Sequence, residues 1–158
     1  MSDMQRQVFM RRAIELSREN VKRGGGPFGA VIVRSGEVVG EGFNRVTATN
    51  DPTAHAEVVA IRDACQRLGT FSLYGCEIYT SCEPCPMCLS AIYWARIDRI
   101  WFANTKVDAA AIDFDDHFIY DELAKDAAHR AIPMQPMLRE EALAAFREWQ
   151  ANASRIRY

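Results

Sequence analysis

The segment His55-Ala56-Glu57, followed further along the chain by Cys85-Pro86-Met87-Cys88, constrains this sequence more than any other feature. Zinc sites in proteins use histidine nitrogen and cysteine sulfur in tetrahedral geometry, and a site that activates water leaves its fourth position open. His55, Cys85 and Cys88 supply three such ligands, and Glu57 adds a carboxylate beside them. The sequence therefore predicts a catalytic zinc centre in which Glu57 moves protons.

The predicted positions of these residues on helices support this chemistry. Pro86 can start a helix, whose positive end would stabilise the Cys85 and Cys88 thiolates and lower their pKa. A second helix is predicted to start at residues 51–53, which places His55 and Glu57 in its first turn. Side chains two positions apart on a helix point in different directions, so His55 can hold a metal while Glu57 reaches the water beside it.

Other metal sites remain alternatives at this point. Cys82 could complete a structural zinc site with four protein ligands, because it lies three residues before Cys85. An iron–sulfur cluster is disfavoured because no further cysteine follows Cys88 at the expected spacing. A non-catalytic zinc module that binds a partner would have no use for Glu57 beside an open metal position.

Size and composition predict one domain over residues 1–158. The chain has a mass of 17.9 kDa with 49% hydrophobic and 25% charged residues, which is ordinary globular usage. No apolar run approaches the roughly 18 residues that span a bilayer. The N-terminus is polar rather than a signal peptide, and an odd number of cysteines, five, argues against a disulfide framework. We expect a cytoplasmic protein that does not bind membranes.

The charge balance bears on the type of substrate. Nineteen basic and 21 acidic residues give a net charge of −2, and the basic residues are scattered along the chain. Proteins that bind nucleic acids usually carry a basic stripe that neutralises several phosphates. A nucleic-acid partner is therefore disfavoured, and a small neutral molecule fits the sequence better.

Hydrophobic periodicity predicts an alternation of helices and strands. A helix over residues 3–23 precedes a hairpin with strands at 28–33 and 37–45. The helix that contains His55 is followed by a strand at 76–80, a helix from Pro86 to about Arg96 and a strand at 99–103. A short helix at 120–129, a fifth strand at 134–138 and a last helix at 140–153 complete the prediction. This order indicates an α/β fold with a partly parallel sheet covered by helices.

The motifs resemble those of a known family. The segments around His55–Val58 and Tyr79–Leu89 are similar to the zinc motifs of the cytidine deaminase-like superfamily. More narrowly, the chain resembles bacterial guanine deaminases of that fold, in residues 26–30, 50–54, 91–96 and 114–120 and in the terminal Tyr158. The resemblance implies a three-layer α/β/α sandwich with a mixed central sheet of about five strands.

The resemblance also implies an activity and a set of site residues. Guanine would be hydrolysed to xanthine and ammonia with one zinc ion per subunit, held by His55, Cys85 and Cys88, and Glu57 would shuttle protons. Asn44 would hydrogen-bond the purine, Phe28 would stack on its face and Trp94 would close the pocket. Members of the family form homodimers in which the two chains exchange a C-terminal segment. Phe114, Asp116 and Tyr158 would then complete the partner's site.

Each substrate contact has a simpler alternative. Phe28 and Trp94 could be core residues, Asn44 could cap a turn, and a shift of one position would replace Asp116 with Asp115. Tyr158 could be a disordered chain end. Two rival activities also remain: editing of adenosine in transfer RNA, which the weak basic character opposes, and deamination of another amino-heterocycle such as cytosine or ammeline.

Overall fold

A mixed sheet of four strands, in the order β2-β1-β3-β4, organises the first part of the chain. The computed structural model describes all 158 residues, Met1–Tyr158. The strands are β1 (Gly29–Arg34), β2 (Glu37–Phe43), β3 (Cys76–Cys82) and β4 (Arg99–Asn104). Strand β1 runs antiparallel to both β2 and β3, whereas β3 and β4 are parallel. The predicted mixed sheet is confirmed, with four strands instead of about five.

Seven α-helices accompany the sheet. They are α1 (Asp3–Lys22), α2 (Val46–Thr49), α3 (Ala56–Leu68), α4 (Pro86–Trp94), α5 (Lys106–Ala110), α6 (His117–Ala124) and α7 (Arg139–Ala151), with a 3₁₀ turn at Ala127–His129. The chain divides into two compact units, Met1–Asp116 and His117–Tyr158. None of the helices is long and apolar enough to cross a membrane.

The first unit has the predicted three layers because alternate side chains of each strand point to opposite faces of the sheet. On one face, Val31, Val33 and Tyr79 form a core with residues of α1. On the other face, Ile32 and Ile78 pack with the alanines of α3 and with Ile92 of α4. The α/β/α sandwich expected from the resemblance is thus confirmed.

Close packing of α3 on the sheet depends on glycine in β2. A Cβ atom on Gly42 would overlap the carbonyl oxygen of Ala56 and the backbone nitrogen of Ala60. The absence of a side chain at Gly42 therefore allows the first turn of α3 to lie directly against the strand. Since His55 and Glu57 lie at this end of α3, the same contact fixes their distance from the sheet.

The start of α3 differs from the prediction. The helix begins at Ala56, not at residues 51–53, and the unpredicted short helix α2 precedes it. The Asp51 side chain stabilises a turn and not the start of a helix. Its Oδ1 accepts hydrogen bonds from the backbone nitrogen and the hydroxyl of Thr53, at 2.8 and 2.7 Å. This local Asx turn competes with helix formation.

The predicted fifth strand at 134–138 does not form. Pro136 has no N–H to donate to a neighbouring strand, and Leu138 has a φ of 52°. The predicted helices of this region do form, as α6 with the 3₁₀ turn and as α7. Neither α6 nor α7 contains a buried residue.

Candidate metal centre and active site

His55 and Cys85 are both N-cap residues, each immediately before a helix. Both have extended backbone conformations, with φ and ψ of −68° and 156° for His55 and −66° and 168° for Cys85, and neither side chain caps its helix. The sequence predicts both His55 and Glu57 in the first turn of this helix. Glu57 does lie in that turn, whereas His55 lies one residue before it. Cys88 follows in the first turn of α4. Two helix N-termini therefore surround the ligand group, and their partial positive charge favours thiolates.

The ligand atoms have the spacing of a tetrahedral zinc site. The Nδ1 atom of His55 lies 3.6 Å from Cys85 Sγ and 3.5 Å from Cys88 Sγ. Zinc bonds of about 2.3 Å to sulfur and about 2.05 Å to nitrogen, at tetrahedral angles, would place sulfur and nitrogen about 3.5 Å apart. All three ligand atoms lie within 4.8 Å of one another. The residues present therefore fit a zinc ion with three protein ligands.

The protonation of this group also suits a metal. A hydrogen bond from Cys88 and another with His55 lower the pKa of the Cys85 thiol to about 4, although burial opposes this. The pKa of Cys88 is raised, because its thiol donates to Cys85 and is buried. Metal binding requires both thiolates, so it displaces the proton that Cys88 holds.

Glu57 lies directly beside the ligands. Its residue is only 8% exposed, and Cys88 Sγ lies within hydrogen-bonding distance of its Oε2, at 3.3 Å. Burial raises the pKa of the Glu57 carboxyl group. A desolvated carboxylate with a raised pKa is a stronger base than a free one, which suits a group that must accept and return a proton.

Cys82 lies outside the ligand group. Its thiol donates to the carbonyl oxygen of Thr105 at 3.7 Å, and burial raises its pKa to about 11. The group that could hold a metal consists of His55, Cys85 and Cys88. This arrangement gives no support to a site saturated by four side chains or to an iron–sulfur cluster.

The loop before the cysteine ligands is tied to the end of β4. Glu83 donates its backbone N–H to Asn104 at 2.8 Å, and its Oε2 accepts the N–H of Lys106 at 3.0 Å. The Thr80 hydroxyl donates to the carbonyl of Cys82. Glu83 is not among the site residues predicted from the sequence, although an acidic residue between a buried strand and two closely spaced cysteines is a usable signal.

Phe28, Phe114 and Asp116 lie in the same unit as the ligand group. The rings of Phe28 and Phe114 pack edge to face, with centroids 4.9 Å apart. The pKa of the Asp116 carboxyl group is raised by burial and by the charge of Cys85. In the single chain, Phe114 therefore contacts Phe28 of its own chain. Asp115, the alternative to Asp116, is exposed.

Asn44 directly follows strand β2 and lies beside Phe28. Its residue is 9% exposed, its backbone N–H donates to the carbonyl of Phe28 at 3.1 Å, and its Oδ1 accepts the N–H of Val46 at 3.2 Å. A Cβ on Gly26 would lie 3.2 Å from Asn44 Cγ and 3.5 Å from the Phe28 ring. Asn44 thus does fix a turn, and it lies in one group with the loop that carries Phe28.

Trp94 and Tyr158 are the two predicted site residues that are most exposed. Trp94 ends α4, about 13 Å along the helix axis from Cys85, and is 68% exposed. It lines a surface groove with Ser90, Tyr93 and Arg96. Tyr158 is the last residue of the second unit and is also exposed. Helix α4 therefore does not bring Trp94 to the ligand group.

Comparison with known proteins agrees with this geometry. Residues 3–104 match the family model of the cytidine and deoxycytidylate deaminase zinc-binding region. Guanine deaminase of Bacillus subtilis is 51% identical over 156 residues, covering 98% of this chain and all of that protein. Its X-ray structure superposes with a TM-score of 0.94 and covers 100% of this chain and 99% of that one.

A second type of relative matches over a shorter stretch. The tRNA-specific adenosine deaminase of Aquifex aeolicus is 41% identical over 100 residues, which are 63% of this chain and 66% of that protein. The family model covers Glu57 and the three residues that could hold the zinc ion, whose ligand atoms have the spacing of a zinc site. The chain belongs to the zinc-dependent cytidine and deoxycytidylate deaminase family.

Proposed function

We propose that this protein is a zinc-dependent guanine deaminase, which hydrolyses guanine to xanthine and ammonia. The observation that carries the proposal is the three-ligand group with a buried carboxylate against it. Such a group occurs here in a chain that resembles a guanine deaminase along nearly its whole length. The match to the tRNA-specific enzyme leaves out more than a third of the chain.

The chemistry divides between the metal and Glu57. A bound zinc ion supplies the Lewis acidity that makes water a nucleophile near neutral pH. Glu57 takes a proton as the water oxygen forms a bond to C2 of guanine, the carbon that bears the amino group. The carboxylic acid then delivers this proton to a ring nitrogen next to C2.

The leaving group needs a second proton transfer. Glu57 takes the remaining proton from the new hydroxyl group and gives it to the amine, because amide ion is too basic to leave unprotonated. The C–N bond breaks, ammonia departs and the oxygen remains on C2 as a carbonyl. Both transfers lie within reach of one carboxylate, because Oε2 of Glu57 is 3.3 Å from a metal-ligand sulfur.

The substrate contacts suit a flat polar heteroaromatic molecule. We assign Phe28 and Phe114 to the faces of the base and the side chains of Asn44 and Asp116 to its hydrogen-bonding edge. The edge-to-face contact of the two rings and the position of Asn44 beside Phe28 support this assignment. An amide and a carboxylate can together recognise the donors and acceptors of guanine.

We further propose that the whole chain, 1–158, acts as one deaminase domain in a homodimer that exchanges C-terminal segments. Phe114, Asp116 and Tyr158 would then complete the site of the partner, and Trp94 would close the pocket. The proposal is supported by the second unit, which buries no residue and exposes Phe146 and Trp149 of α7 to 73% and 46%. Exposed aromatic side chains on one amphipathic helix commonly mark an interface.

We place the enzyme in the cytoplasm, as five cysteines without a disulfide suit a reducing compartment.

The test of the activity is steady-state ammonia release from guanine, guanosine, adenine, cytosine and ammeline. We expect guanine to have the highest kcat/KM. Turnover confined to cytosine or ammeline would overturn the substrate assignment, and tight, salt-sensitive binding of folded tRNA would favour the adenosine deaminase alternative.

A further inference from the structure

Asn20 of α1 joins the two backbone segments that precede Phe28 and follow β2. Its side chain is buried, with 5% of the residue exposed. Its Nδ2 donates hydrogen bonds to the carbonyl oxygens of Gly26 and of Asn44, both at 2.8 Å. Carbonyl oxygens can only accept, so the nitrogen of the amide must face them and both of its hydrogens are used.

Further hydrogen bonds make this arrangement a closed network. The N–H of Gly25 donates to the backbone carbonyl of Asn20 at 2.9 Å, and the N–H of Phe28 donates to Gly26 at 2.9 Å. The N–H of Asn44 then donates to Phe28 at 3.1 Å. The loop before β1 and the end of β2 are thus held to each other and to a single side chain of α1.

Gly25 is part of the same device. A Cβ atom at this position would lie only 2.5 to 2.7 Å from Nδ2, Oδ1 and Cγ of Asn20. The backbone can approach the Asn20 amide only because residue 25 has no side chain. A short side chain such as asparagine cannot move aside without breaking its two hydrogen bonds.

We infer that Asn20 is a positioning residue that sets the distance between the Phe28 ring and the Asn44 amide, and through them the fit of the purine base. The inference rests on the proposed function, in which Phe28 and Asn44 contact the base. Asn20 is not among the metal ligands, and it belongs to a helix that packs mainly on the opposite face of the sheet from α3. Its effect should therefore fall on substrate binding and not on the metal or on proton transfer.

The first test is Asn20→Asp, which keeps the shape of the side chain but turns acceptors towards two carbonyl oxygens. We expect KM for guanine to rise by about tenfold or more, because two buried carbonyls lose their donor. We expect kcat to change by less than about threefold, since the groups that move protons are untouched. Zinc content per chain should equal that of the unmodified enzyme.

Ser17→Ala is the matched control. Ser17 lies nearly one turn earlier on α1 and is 8% exposed, but its hydroxyl donates only to Ile14 of the same helix, at 2.7 Å. This variant also removes a buried polar group from α1. We expect a modest decrease in melting temperature with unchanged KM, which separates a loss of general stability from a loss of positioning.

Gly25→Ala provides an independent route should Asn20→Asp fold poorly. It adds one methyl group that displaces the Asn20 amide and removes no hydrogen-bonding group. We expect KM to rise in this variant as well, with normal zinc content. If both variants that disturb the amide kept the KM of Ser17→Ala while Asn44→Ala raised KM, the inference would be overturned and the proposed function would stand.

A double-mutant cycle with Asn44→Ala separates the remaining outcomes. If Asn20 acts through Asn44, Asn20→Asp should change KM much less in the Asn44→Ala background than in the unmodified enzyme. Independent, multiplicative effects would overturn the inference. A normal KM in Asn44→Ala would overturn both the purine contact assigned to Asn44 and the inference, whereas absence of guanine turnover in the unmodified enzyme would overturn the proposed function itself.

Discussion

The two units of this chain differ in what holds them together. Residues Met1–Asp116 contain every buried residue, two hydrophobic clusters on the faces of a sheet and the complete metal-ligand group. Residues His117–Tyr158 form two α-helices and a 3₁₀ turn without a buried side chain. The chemistry of metal binding is therefore built into a part that makes its own core. The second part has the pattern of an amphipathic structure whose apolar side chains require another surface.

The sharpest prediction within the first unit concerns Glu57. We expect Glu57→Gln to lower kcat by about a thousandfold or more, because the amide cannot take or return a proton. Zinc content and melting temperature should remain close to those of the unmodified enzyme, since glutamine still fits the buried position. The measurements are ammonia release, elemental analysis and thermal unfolding.

Glu19→Gln is a suitable control for this change. Glu19 is a partly exposed carboxylate of α1 whose ion pair with Arg23 spans 3.8 Å, and it lies outside the ligand group. We expect normal turnover in this variant. If Glu57→Gln retained the rate of the control, the carboxylate would have no part in proton transfer. The proposal that the first unit carries the catalytic chemistry would then be wrong.

Most of the first unit could be predicted because its local signals and its core agree. Ser35 and Gly36 turn the β1–β2 hairpin, with φ values of 53° and 84°. Positive φ values are typical of two-residue hairpin turns, and glycine adopts them readily. The predicted start of α3 was wrong because the Asp51 side chain accepts a hydrogen bond within a turn and does not cap a helix. Hydrophobic periodicity does not predict the close packing of Gly25 against the Asn20 side chain, because that contact depends on how the loop after α1 folds back on the helix.

Removal of the last residues tests the second unit directly. In the proposed dimer, Tyr158 contributes to the partner's site, so we expect deletion of residues 154–158 to lower kcat/KM on the order of a hundredfold through poor orientation of the substrate. Zinc content should not change, because the ligands all lie in the first unit. The measurements are guanine turnover, elemental analysis and the molecular mass in solution.

The control for the deletion is Arg157→Ala, which changes the neighbouring exposed side chain and keeps Tyr158. We expect this variant to turn over guanine at nearly the normal rate. Full activity after deletion would mean that Tyr158 is no part of any site. A monomeric mass for the unmodified protein would contradict the exchange and would leave the exposed aromatic residues of α7 without the proposed partner.

The second unit was harder to predict for a physical reason. Met134, Met137 and Leu138 have apolar side chains, but a strand needs a neighbour that accepts and donates hydrogen bonds. Pro136 removes one donor, and the residues around it are exposed. Hydrophobic periodicity indicates only which side chains of a segment could be buried. It does not tell which surface, in the same chain or in another, is available for burial.

The smallest predicted effect compares the two ends of strands β3 and β4. At the carboxyl ends, Glu83 accepts the N–H of Lys106 at 3.0 Å, beside the cysteine ligands. At the amino ends, Asp98 accepts the N–H of Gly75 at 3.3 Å, away from the site. Both bonds join a backbone N–H to a carboxylate 23 residues away in the sequence. They are therefore a matched pair that differs mainly in position.

Glu83→Ala and Asp98→Ala should each lower the free energy of unfolding by about 1 kcal/mol, as expected for one hydrogen bond. Only Glu83→Ala should raise KM for guanine, by about threefold to fivefold, because it loosens the loop between Cys82 and Cys85 from the segment that leads to Phe114 and Asp116. Urea unfolding and steady-state kinetics measure both quantities. Equal changes in KM would show that the first unit responds as a whole to any loss of stability. A change confined to Glu83→Ala would mean that substrate binding depends on this particular end of the sheet, where parallel strands commonly present their functional residues.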